Sequence, residues 1–107
     1  MYRPFVLLSF TFAAIVSVAP VAYAHNAICD CYDNGDSTIT CEGGFSDGGA
    51  AAGVTIRVVD NTGKVLIDGV MSDQSDFSFS KPEGNFHVEF DAGAGHIVQI
   101  DGRDIEE

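Results

Sequence analysis

The chain has 107 residues, with 16 acidic against 5 basic side chains and a formal charge of −11. That balance argues against nucleic acid and anionic membrane surfaces as partners, and it raises the local concentration of cations. Hydrophobic residues make up 46% and aromatic ones 10% of the chain, arranged in regular patterns, which excludes a disordered polymer.

The first predicted element is a secretory signal helix over residues 1–24. Met1-Tyr2-Arg3 gives a basic start, "FVLLSFTFAAIVSV" (5–18) is an uncharged apolar run, and Pro20 breaks it. Ala22 and Ala24 then supply small residues at the −3 and −1 positions of a cleavage site. The run of 14 residues falls short of the ~20 that a helix needs to cross a bilayer. Asn26-Ala27-Ile28 before Cys29 is not a compact lipobox. Cleavage leaves 83 residues beginning at His25, with 4 basic and 16 acidic side chains and a charge of −12. The mature protein is therefore expected to be periplasmic or secreted, with no direct membrane insertion after cleavage.

Residues 25–37 read as a distinct N-terminal Cys/His segment. A mature N-terminal His25 offers its α-amine and an imidazole nitrogen as a chelate, both deprotonated near neutral pH or slightly above. Cys29 and Cys31, two apart on an extended segment, point to one face and add soft sulfur donors. In an oxidising compartment the cysteines instead pair, and Cys41 is the natural partner of Cys29 or Cys31. "YDNGDSTIT" between Cys31 and Cys41 reads as a hairpin with Asn34-Gly35 at its tip. Sequence leaves open which of the two faces Cys41. With three cysteines one stays free, binds a metal or links two chains.

A sandwich domain is expected over 38–107, the first strand being "TITCEGGF" (Thr38–Phe45), followed by the small-residue loop 46–53. "VTIRVVD" places Val54, Ile56 and Val58 on one face, turns through "DNTGK" with Gly63, and returns as "VLIDGV". "FSFS" carries Phe77 and Phe79 inward, "KPEGN" turns again, and "FHVEFDA" buries Phe86, Val88 and Phe90 while His87 and Glu89 face out. "DAGAG" is a loop and "HIVQI" (96–100) the last strand. Turns arrive about every ten residues with no helical periodicity, which predicts an all-β fold, a small antiparallel β-sandwich or barrel.

From Ala51 to Ile100, "AGVTIRVVDNTGKVL…SDQSDFSFSKPEGNFHVEFDAGAGH" resembles the transthyretin-like, carboxypeptidase-regulatory-like sandwich, which is Ig-like in architecture. Ser75 stands where that family usually has Gly. The closing "FDAGAGH", together with His25, is similar to the small periplasmic accessory subunits of bacterial nickel and cobalt uptake systems of the energy-coupling-factor type. This resemblance implies a non-enzymatic metal-binding protein that assists nickel or cobalt uptake with membrane transporter subunits as partners. It adds His96, flanked by Gly93 and Gly95, to the metal candidates His25, Cys29 and Cys31. Nitrogen and sulfur donors also suit copper or zinc.

No nucleophile elbow, paired His-Glu helix motif or phosphate loop is present, so the chain does not read as an enzyme. "DNGDSTIT" lacks the closing acidic residue of a calcium loop, and His87 reads as a solvated strand residue. The competing readings are a sandwich that binds protein or carbohydrate without metal, and a copper-trafficking protein.

Overall fold

The computed structural model describes residues 26–107. The expected signal segment 1–24, its cleavage site and His25 lie outside the described residues.

The described chain forms seven strands: β1 (Ala27–Asp33), β2 (Thr38–Phe45), β3 (Thr55–Asp60), β4 (Val65–Val70), β5 (Asp76–Ser80), β6 (Phe86–Asp91) and β7 (Ile97–Asp101). A single 3₁₀ turn, Gly102–Asp104, follows β7, and the Asp101 side chain caps it by accepting from the Arg103 N–H. The strands make two antiparallel sheets, one ordered β1-β2-β5 and the other β4-β3-β6-β7. The protein is a small antiparallel β-sandwich, as the strand spacing predicts.

Alternation decides which side chains meet between the sheets. Ile56 and Val58 of β3, Phe79 of β5, and Phe86, Val88 and Phe90 of β6 are buried, and Val54 and Phe77 pack against them. The sheets are zipped by aromatic contacts, Phe45 on Phe90 at 6.5 Å between ring centroids and Phe79 edge-on to Phe86 at 6.4 Å. The outer face of the four-stranded sheet carries a charged cluster at its centre, with exposed Val70 and Ile97 beside it. Arg57 Nη1 reaches Asp91 Oδ2 at 3.2 Å and Glu89 Oε1 at 3.9 Å, while His87 Nε2 lies 3.2 Å from Glu89 Oε2. A register shift in the β3–β4 pairing falls between Val58 and Val59, and Val59, opposite His87 of β6, is buried although it is not part of the core cluster.

Two local expectations are corrected. The sandwich does not start at Thr38: β1 pairs with β2 from Ala27↔Phe45 to Asp33↔Ile39, so most of 25–37 is a sheet strand rather than a separate segment. The tip of that hairpin is centred on Asp36, not on Asn34-Gly35. Asn34 N–H donates to the Thr38 carbonyl, and both Gly35 and Ser37 take positive φ. An odd-length loop of this kind sets Cys31 opposite Cys41, whereas a two-residue Asn-Gly turn would set it opposite Thr38.

Ser75 occupies the left-handed region, φ 63°, that the expected glycine would adopt without cost. Its hydroxyl accepts from the N–H of fully buried Ala51 at 2.8 Å, and its carbonyl accepts from Gly43 N–H at 2.9 Å. The serine therefore ties the β4–β5 turn to β2 and to the loop that follows it.

Candidate functional site

The cysteines sit on the core-facing side of β1 and β2. Residues 27, 29 and 31 share one face of β1, and Cys29 and Cys41 belong to the buried cluster while Cys31 is half-buried against it. Cys31 and Cys41 form the disulfide, joining directly opposed residues ten apart in sequence. Such a bond belongs to an oxidising compartment outside the cytoplasm. Among the described residues no helix is long and apolar enough to cross a membrane.

Cys29 is the free thiol, 6% exposed and opposite Gly43. Gly43 has to be small, because a Cβ there would lie 2.6 Å from Cε2 of Phe90, whose ring fills that space. Burial, with the charge of Asp30 adding to it, pushes the Cys29 thiol up to about 12. The three sulfurs lie within 4.8 Å of one another, the one such convergence of three metal-type donors among the described residues. In this oxidised form, however, Cys31 has no thiolate to give, and Cys29 is a neutral thiol in the core. The expected pair of soft ligands, Cys29 and Cys31, is thus not formed. Nor is Cys31 near the chain's entry into the sheet: five residues of extended strand separate it from Asn26, roughly 16 Å.

His96 lies elsewhere. The β6–β7 loop closes with the Ala92 N–H donating to the His96 carbonyl at 3.0 Å and the His96 N–H donating to Gly93 at 2.8 Å. Gly93 and Gly95 take φ of 113° and 81°, conformations that admit glycine and force the tight path into His96. Asp91 Oδ1 accepts from the Gly93 N–H, and this bond, followed by that with Arg57, holds the Asp91 carboxyl below the usual range. His96 Nδ1 is 3.2 Å from the Ala94 carbonyl, which can only accept, so Nδ1 is the donor in this contact and Nε2 is the ring nitrogen that it leaves unused.

His96 lines a depression of about 340 Å³ with Phe45, Asp47, Gly49 and Ala92. No cysteine lines it. Asp47, which sequence reading passed over as part of a small-residue loop, brings a carboxylate to this depression, and its Oδ1 accepts from Gly49 N–H at 2.8 Å. The sequence signal for it was an aspartate beside two glycines, a pattern shared by many plain turns. The chain enters the sandwich next to this place. Asn26 N–H donates to the Ser46 hydroxyl at 3.0 Å, and the Ser46 N–H donates to the Asn26 carbonyl at 2.9 Å. Position 26 is thereby fixed beside the residue preceding Asp47. His87, on the outer face of β6, is engaged with Glu89 and is not among the residues lining the depression.

Neither a known protein family, nor a curated protein, nor a solved structure matches the chain.

Proposed function

We propose that the protein is a periplasmic or secreted, non-enzymatic metal-binding accessory protein that assists nickel or cobalt uptake and delivers its ion to membrane transporter subunits. The ligands are the α-amine and imidazole of His25 after signal cleavage, joined by His96 Nε2 and the Asp47 carboxylate. The observation that carries this reading is the reciprocal hydrogen bonding of Asn26 with Ser46, which starts the sandwich beside the depression lined by His96 and Asp47. A set of nitrogen donors with one carboxylate oxygen suits Ni(II), Co(II), Zn(II) or Cu(II) better than Cu(I), which selects sulfur.

Isothermal titration of the processed protein with Ni(II) and Co(II) tests it. A single Gly placed before His25, His25→Ala and His96→Ala should each weaken binding at least tenfold, and His87→Ala should leave it unchanged. Affinity should also fall as pH drops from about 8 to about 5, because the amine and the N-terminal imidazole must lose protons to bind. Binding indifferent to the Gly extension would sink this reading. It would leave the interaction module, which is favoured by the exposed Val65, Leu66 and Val70 of β4.

A further inference from the structure

We propose that Cys31 is a thiol-exchange site, opened when Cys29 displaces it from the disulfide with Cys41, and that it reacts with small-molecule disulfides to form mixed disulfides. This inference is independent of the metal reading and uses none of its ligands.

The observations are geometric. A free thiol is held in the core with its sulfur within 4.8 Å of both sulfurs of an existing disulfide. Cys29 and Cys31 lie on the same face of one strand, and Cys41 is their common cross-strand neighbour, directly opposite Cys31 and diagonal to Cys29. Gly43, opposite Cys29, places no side chain between Cys29 and Cys41. Of the three cysteines, Cys31 is the half-buried one, while Cys29 and Cys41 are 6% and 0% exposed. Moving the bond from Cys31 to Cys29 therefore keeps the covalent tie between β1 and β2 and transfers the free thiol from the core toward the surface.

The exchange is redox-neutral. Cys29 loses its proton to solvent, and its thiolate attacks Sγ of Cys41. The Cys29–Cys41 bond forms as the Cys31–Cys41 bond breaks, and the electron pair leaves on Sγ of Cys31. The Cys31 thiolate then attacks a small-molecule disulfide, forming one mixed disulfide and releasing one equivalent of the small thiol. The Cys29–Cys41 bond spans a diagonal pair, about 7–8 Å between Cα atoms in the present register, and draws β1 and β2 together as it closes. The alternative attack on Sγ of Cys31 would join residues two apart on one extended strand. It would also leave the free thiol on fully buried Cys41. Because burial keeps the Cys29 thiol protonated, the first step is slow at neutral pH and gains about tenfold per pH unit as the thiolate fraction rises.

The test incubates the oxidised, folded protein with oxidised glutathione between pH 7 and pH 9.5, quenches with acid, and maps disulfides by peptide mass spectrometry without reduction. The expected product carries glutathione on Cys31 and a bond between Cys29 and Cys41, forming about tenfold faster per pH unit. Cys29→Ser and Cys29→Ala should both abolish the adduct, and Cys29→Ala, which puts no hydroxyl into the core, guards against a folding defect in the first. Glutathione found on Cys29 or Cys41, an adduct on Cys31 that persists without Cys29, or no adduct up to pH 9.5 would overturn the proposal.

Discussion

Ser75 shows how one side chain can hold a conformation that its own backbone resists. Its left-handed φ costs about 1–2 kcal/mol for a residue with a Cβ. Against this, its hydroxyl satisfies the N–H of buried Ala51, a donor whose orphaning costs about 1–3 kcal/mol. Ser75→Ala keeps the strain and loses the bond, so it should destabilise by about 1–3 kcal/mol in urea unfolding. Ser75→Gly loses the bond but also the strain, and should cost clearly less. Equal losses for the two variants would mean that the hydroxyl contributes all of the effect and the backbone none.

At the scale of elements, the β1–β2 hairpin depends on its cross-link more than its neighbours do. Its outward face carries Ile28 and Tyr32, 46% and 38% exposed, and two of the four inward positions of β1 are cysteines. Closing a loop of ten residues restricts the unfolded chain by roughly 2–3 kcal/mol. Oxidised and reduced protein should therefore differ by about that amount in urea titrations at neutral pH, and coincident midpoints would refute it. The same composition explains why β1 was not legible in the sequence as part of the sheet. In β3, β5 and β6 the apolar residues fall on alternate positions and face inward, so Ile56, Val58, Phe79, Phe86, Val88 and Phe90 could be placed in the core from pattern alone. In β1 the apolar residues face outward and the inward positions look like ligands. The partner of Cys41 was equally hidden, since it follows from the parity of a loop whose Ser37 adopts a positive φ that no sequence rule assigns to serine. His96 could be singled out by its flanking glycines, but Asp47 reaches the same depression only through the tertiary path of the 46–53 loop.

Across the whole molecule, four aspartates tie the turns to the sheets. Asp33 accepts from Gly35 N–H and Lys81, Asp60 from Thr62 and Lys64, Asp91 from Gly93 N–H and Arg57, and Asp101 from Arg103. These bonds favour the charged form and lower all four carboxyls, that of Asp101 to about 2. A carboxyl lowered by folding stabilises the native state above its unfolded value, near 3.8, and that contribution vanishes as pH falls through the folded value. Thermal stability should accordingly drop between about pH 4 and about pH 2. The double variant Asp60→Asn, Asp101→Asn should show a shallower drop in melting temperature over that range than the parent, and an identical slope would contradict the assignment.

The parity of the hairpin loop has a consequence for the order of folding. β1 and β2 end some thirty residues before β5 begins, so in an order of folding from the N-terminus this hairpin forms before the strand that completes its sheet. At that moment Cys41 has two suitors, Cys29 and Cys31, and no hydrophobic packing to choose between them. The five positions from Asn34 to Thr38, closed by Asp33, Asp36 and Thr38 hydrogen bonds, do the choosing. Being local, these bonds set Cys31 opposite Cys41 without calling on the residues of the second sheet.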